Sequence, residues 1–276
     1  MTWIYLSPHF DDAVYSCGGL IWQQAHAALR AQPVEIWTVC AGEIPPGPLS
    51  PFAQELHARW GTGMQSVAAR RAEDEAACRI LGAYPRYFTL PDCIYRRLPP
   101  QAPGEPGAPV ITRNDDLWLP FSAGEAPLVE QIAGWIRQGL PKRGRVHLVC
   151  PLTVGGHVDH RLVRAACEVL GLPLWYYADY PYSAKESFTA YRWLANGRRG
   201  YARRISPPAL AAWQEGAAAY TSQLSSFWKD DEEMRAALAA YALQPAGHSF
   251  WLFCPTQLGK ITKKNLLNPL SRTHIS

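Results

Sequence analysis

A chain of 276 residues is long enough for one large domain or two small ones and can bury a sizeable core. With 48% hydrophobic and 18% charged residues it has the balance of a globular protein, which speaks against disorder. A formal net charge of +4, carried by scattered Arg and Lys, is too weak for a nucleic-acid binder, so no nucleic-acid partner is expected.

The first stretch, "TWIYLSP" at 2–8, predicts a buried strand. "DDAVYSCGGLIWQQAHAALR" follows with helical periodicity and acids in its first turn, where the helix dipole favours them. "VEIWTVCAG" predicts a second strand ended by Gly42, and residues 43–63, with their Pro and Gly, a loop. "MQSVAARRAEDEAACRILGA" predicts a long helix closed by Gly82, and "RYFTLPD" a third strand. This βαβαβ alternation predicts an α/β, Rossmann-like, mostly parallel sheet with helices on both faces.

Residues 98–127 then carry seven prolines without a period and predict an insertion loop near the ligand mouth. "APLVEQIAGWIRQGL" predicts a helix and "RVHLVCPL" a fourth strand. "TVGGHVDHRLVRAACEVLG" is a Gly-rich turn entering a helix, and "LPLWYYADYPY" a fifth strand with an aromatic loop. Residues 207–245 read as helical with breaks, and "HSFWLFCP" as a last strand, where His248 reads first as a packed core residue and second as one that could reach the site. No internal repeat marks a second domain, so 1–276 is expected to be a single domain with a variable C-terminal part over 183–276. The start "MTWIYLSPHF" lacks a basic leader pattern, and no apolar run approaches a membrane span. Seven cysteines without a CxxC, mostly in apolar contexts, predict buried free thiols and a cytoplasmic location.

Two polar clusters stand at strand ends. His9, Asp11 and Asp12 follow the first strand, and His157, Asp159 and His160 follow the fourth. Ligand crevices of open α/β sheets lie at the carboxyl ends of strands, so both clusters can converge there. His9, Asp12 and His160 would then offer two imidazoles and one carboxylate to a single divalent cation, leaving Asp11 and His157 for proton transfer and charge stabilisation. Each cluster also has a plain structural reading, with an Asp capping a helix and the histidines packed or on the surface.

"SPHFDDAVYSCGG" with the later "GGHVDH" resembles the PIG-L/LmbE-like family of metal-dependent deacetylases, whose motifs are His-Pro-Asp-Asp-Glu and a downstream His-Pro-Asp-His. "RRAEDEAACRILGA", "YFTLPD" and "YYADYPY" extend the likeness over roughly residues 2–182. The resemblance implies one Zn²⁺, or another divalent metal such as Fe²⁺, per chain on His9, Asp12 and His160. It implies Asp11 as general base, His157 as the charged group facing the oxyanion, and Asp159 as the residue holding His157. Arg71 and Asp92 fall where members contact sugar hydroxyls, and they read equally as an ordinary helix-face cation and a turn-forming Asp. The implied substrate is a small N-acetylated amino sugar or its conjugate. Phe10 and Ala13 replace the usual Pro and Glu, Val158 replaces the second Pro, and Gly155 stands where some members carry a Tyr. None of these changes removes a proposed ligand or the base.

Three rivals bear on the same residues. "SCGGL" could cradle a phosphate, but neither GxGxxG nor GxxxxGK[ST] is present. A serine hydrolase lacks its GxSxG elbow, and Cys17 has no evident base for a cysteine enzyme. A non-catalytic carbohydrate- or metal-binding protein needs no spare carboxylate, so Asp11 favours catalysis over it.

Overall fold

The structure, a computed structural model, describes residues 1–27, 33–100, 107–185, 199–244, 247 and 249–253. Its first half runs β1 (Thr2–Ser7), α1 (Asp12–Ala25), β2 (Val34–Thr38), α2 (Pro51–Trp60), α3 (Ser66–Leu81) and β3 (Tyr84–Tyr87). It continues with α4 (Ala126–Gly139), β4 (Val146–Pro151), α5 (Val158–Glu168) and β5 (Leu174–Tyr177). The last elements are β6 (Arg199–Ala202), α6 (Pro207–Ala218), the single turn α7 (Thr221–Leu224), α8 (Asp231–Ala242) and β7 (Ser249–Phe253).

Among the described residues one seven-stranded sheet has the order β3-β2-β1-β4-β5-β7-β6. The first five strands pair in parallel, and β7 and β6 extend the edge antiparallel. The chain leaves β1 toward β3, then returns across the sheet to β4 and β5. Right-handed crossovers place helices on opposite faces when the direction of travel reverses. Accordingly α1, α3, α6 and α8 pack in one layer and α4 with α5 in another. The reversal lies between β1 and β4, which is where such a sheet opens its ligand crevice.

Several local expectations change. Residues 43–63, expected to be loop, contain α2. Ser50 caps it by accepting from the Ala53 N–H at 3.1 Å, Pro51 occupies its first turn, and Gly61 (φ 65°) closes it. A proline whose N–H would be an orphan anyway opens a helix rather than breaking one. The third strand starts earlier than "RYFTLPD" and ends at Tyr87, although the Phe88 N–H still donates to Thr38 O at 2.9 Å. The rest of that segment runs as coil to deliver Asp92 to the crevice. The glycines of "SCGGL" cradle no phosphate: Gly18 and Gly19 lie inside α1 against Trp213 and Ile205. Strand β6 was not expected. His248 and residues 101–106 of the insertion lie outside the described residues. Among the described residues six cysteines are free and buried, and no helix is long and apolar enough to cross a membrane.

Candidate metal centre

The turn after β1 is closed by its own side chains. Ser7 Oγ donates to the His9 carbonyl and accepts from the Ala13 N–H. Asp12 Oδ2 accepts from the His9 N–H at 2.7 Å. Ser7 thereby does the capping that either Asp might have done, and Asp11, at the N-cap position, makes no side-chain cap bond. The Asp11 carboxylate faces Arg70 instead, at 3.1 Å.

The turn after β4 is built by Gly155 (φ 81°) and Gly156 (φ 78°), with Thr153 also left-handed (φ 66°). It ends in His157, the N-cap of α5, whose Nδ1 accepts from the Asp159 N–H at 3.2 Å. Adjacency of β1 and β4 brings the two turns together. Asp12 lies between the imidazoles, with Oδ2 3.2 Å from His9 Nδ1 and Oδ1 3.2 Å from His160 Nε2. One ring nitrogen each of His9, His157 and His160 lies within 4.8 Å of the others, so His157 too is among the possible donors. A second buried group of possible donors, His9, Asp92, Cys93 and Asp159, adjoins it.

Asp159 is not where the resemblance implied. Its carboxylate contacts His9 Nε2 at 2.9 Å, accepts from the Cys93 N–H and pairs with Arg96 at 2.6 Å. His157 meets only the backbone N–H of Asp159, because the helix start turns that carboxylate inward. Burial pushes the His157 pKa well down and the neighbouring His9 and His160 push it further, while Asp159 and Asp12 act in the other direction; the net shift runs against the charged imidazole that the resemblance implies. Since its Nδ1 accepts, its Nε2 carries the proton.

Three further residues belong to the cluster. His160 Nδ1 contacts Asp179 Oδ1 at 2.6 Å, and Asp179 also accepts from the Val154 N–H. Burial opposes charge on His160, but Asp12 and Asp179 push its pKa up to about 10. Arg70 bridges Asp11 and Asp92, the latter at 3.4 Å, and stacks over Trp60. Arg96 joins Asp159 to Glu125 at 2.7 Å, tying the Pro-rich insertion to the centre. Asp92 sits 3.7 Å from His9 Nε2 and also caps a short turn through the Ile94 N–H. Arg71, the candidate sugar contact, turns to the Ala41 carbonyl and Glu43. The phase of α3 distinguishes the two arginines: Arg70, Asp74, Ala77, Cys78 and Leu81 form its buried stripe. Asp179 follows β5 as Asp12 follows β1, a strand-end signal that the aromatic run around it concealed.

The mouth is aromatic. Trp118, half-buried on the insertion, meets His157 edge-on at 5.6 Å and Tyr182 at 5.4 Å between ring centroids. A Cβ at Gly155 would lie 2.7 Å from Tyr182 Cγ, so Tyr182 fills the space above that turn.

The donor set suits a divalent cation. Among the described residues six buried carboxylates (Asp11, Asp12, Asp92, Asp159, Asp179 and Glu125) share the network with two buried guanidiniums, Arg70 and Arg96. Buried charge of one sign needs a counter-charge. Protonated His9 and His160 would provide it: burial opposes charge on His9, but Asp92, Asp12 and Asp159 hold its pKa well above the ordinary value. A cation between His9, Asp12 and His160 would provide it equally.

A sequence profile described as PIG-L, GlcNAc-PI de-N-acetylase, matches residues 4–170. A 2'-N-acetylparomamine deacetylase of Streptomyces fradiae is 29% identical over 190 residues, 66% of this chain and 58% of that protein, so the match spans a little over half of the relative. The zinc-inhibited form of a teicoplanin deacetylase superposes with a TM-score of 0.73 at 25% identity, covering 91% of this chain and 97% of the other. The deacetylase of the A40926 pseudoaglycone gives 0.66 at 28% identity, covering 91% and 96%.

Proposed function

The chain belongs to the PIG-L family, and from that premise we propose that it hydrolyses the N-acetyl group of an amino sugar or amino-sugar conjugate. His9, Asp12 and His160 would hold one divalent cation, zinc or a close substitute such as Fe²⁺. The carrying observation is Asp12, whose two oxygens each stand 3.2 Å from an imidazole nitrogen contributed by a different strand end. A cation in such a site acidifies a water and polarises an amide carbonyl.

The remaining work falls to the chain's own groups. Asp11 makes no cap bond and is not needed as a ligand, so it serves as the base that takes the water proton and returns it to the departing amine. Burial lifts its pKa while Arg70 draws it back, which keeps the carboxylate available yet basic. His157 donates its Nε2–H toward the oxygen that gains charge, as a neutral donor rather than a cation. Asp159 holds His9, and Asp179 holds His160, each in a set orientation. Asp92 and Arg70 border the substrate side, and Trp118 with Tyr182 offers flat apolar faces to a sugar ring.

We read 1–276 as one catalytic domain acting in the cytoplasm on a small soluble substrate. Relatives named for deacetylation of 2'-N-acetylparomamine and of teicoplanin suggest N-acetylated compounds of those two kinds as the first to try. Elemental analysis paired with amine release from a panel of N-acetylglucosamine conjugates tests the proposal. The expected result is one metal per chain and amine release from at least one conjugate. A metal-free chain that added zinc, iron or cobalt fails to activate would overturn it.

A further inference from the structure

Asp74 is fully buried on α3, and the centre described above makes no use of it. Tyr87 Oη donates to its Oδ2 at 2.9 Å, and Tyr220 Oη lies 2.7 Å from its Oδ1. The same Tyr220 hydroxyl is 3.0 Å from the carbonyl oxygen of Phe10, the residue between His9 and Asp11. A phenol has one proton, so Tyr220 can donate to Phe10 or to Asp74 but not to both. Both contacts are satisfied together only when Asp74 carries a proton on Oδ1, donates it to Tyr220, and Tyr220 donates onward to Phe10.

We propose that Asp74 is a positioning residue for the metal-binding turn, holding it through Tyr220 in its acid form and releasing it in its carboxylate form. As a carboxylate, Asp74 takes the Tyr220 proton, and the Phe10 carbonyl loses that donor. The tyrosine itself is held in place. Glu73 on α3 accepts from Thr221 Oγ1, the Ser222 N–H and Ser222 Oγ, which clamps the start of α7 directly after Tyr220. Only the proton has to move.

The groups facing Asp74 are Tyr87 of β3, Tyr220 ahead of α7, Cys78 and Glu75 of α3, and Asp11 ahead of α1. Burial lifts the Asp74 pKa to about 7 against the two phenol hydrogen bonds, with Asp11 and Glu75 adding to the rise. The acid form therefore holds below neutrality, and the carboxylate form takes over above it.

The inference rests on the reading of His9 and Asp12 as cation ligands, and its test separates the two. Carboxyl-carbon NMR of the wild-type chain, loaded with zinc, reads the Asp74 midpoint directly; a midpoint near neutrality is expected, and one below pH 5 would overturn the proposal. Cobalt(II) affinity is then measured at pH 6 and pH 8.5 for wild type, Asp74→Asn, Tyr220→Phe and the double variant. Asn keeps a donor toward Tyr220 at both pH values. Asp74→Asn should match wild type at pH 6 and bind cobalt about three- to tenfold more tightly at pH 8.5, the worth of one hydrogen bond. Tyr220→Phe should abolish that difference. A purely electrostatic role gives the opposite sign, because removing a negative charge weakens cation binding. Equal or weaker binding by Asp74→Asn at pH 8.5 would overturn the proposal. Cobalt binding by none of the four chains would overturn the metal reading itself, while the NMR midpoint still decides the protonation of Asp74. That midpoint also stands if a variant fails to fold.

Discussion

At the residue scale the two carboxylates of "FDD" differ in what they touch. Asp12 is placed between two imidazoles, and Asp11 against Arg70. Asp11→Asn should therefore keep its metal and lose roughly two to four orders of magnitude in turnover, the usual worth of a general base. Metal content and turnover on the same preparation check this, and loss of metal would make Asp11 a ligand instead. Asp179→Asn removes the carboxylate behind His160 and should weaken metal affinity about 10- to 100-fold, leaving turnover at saturating metal much less affected. A metal titration of turnover distinguishes the two effects. The convergence of His9, Asp12 and His160 was legible in the sequence because each lies in the turn or first helical turn that follows a strand. Arg70 and Arg96 were not, because their partners, among them Asp11 59 positions from Arg70 and Glu125 29 positions from Arg96, lie in other elements.

At the element scale, α1 carries both the turn and the packing that holds it. Gly18 lets α1 approach α6: an added Cβ would lie 2.4 Å from Trp213 Cδ1. That ring cannot swing away freely, since its Nε1–H donates to the Val14 carbonyl at 2.7 Å. Ala is the better helix former by up to about 1 kcal/mol, but overpacking a locked indole costs about 1–3 kcal/mol. Gly18→Ala should therefore destabilise the chain, and denaturant unfolding with an unchanged slope would show it. A more stable variant would mean that Trp213 can repack. Most strands and helices were legible from period alone, whereas α2 was hidden by a proline that in fact begins it, and β6, the four residues Arg199–Ala202, carries no period to read.

At the scale of the whole molecule, the buried carboxylates link metal, protons and stability. Without a cation on it, His160 has its pKa pushed up to about 10 by Asp12 and Asp179 against the effect of burial. A raised imidazole pKa contributes stability that is fully present below about pH 6.5 and is lost as pH rises through about 10. Metal and proton compete for the same nitrogen, so the metal-bound chain does not share that loss. The gain in melting temperature on adding zinc should thus grow from pH 6 to pH 8.5. A thousandfold excess of free metal over its dissociation constant corresponds to about 4 kcal/mol. Calorimetry of chelated and zinc-loaded chains across that range is the check, and a gain that shrinks with pH would contradict the shared-nitrogen arrangement.

The sequence by itself determined the α/β alternation, the parallel sheet and the two strand-end clusters, because hydrophobic period and ligand spacing are local properties of the chain. Tertiary structure alone decided what those clusters became. Strand order put β1 beside β4 at the reversal of the chain, and so brought His9, Asp12 and His160 to one point. It turned Asp159 to His9 and Arg96 rather than to His157, and it selected Arg70 over Arg71. It also set Tyr220 against Phe10, 210 positions away along the chain. Those outcomes depend on which buried charge finds which partner, and that is settled by packing between elements distant in sequence, where no local pattern reaches.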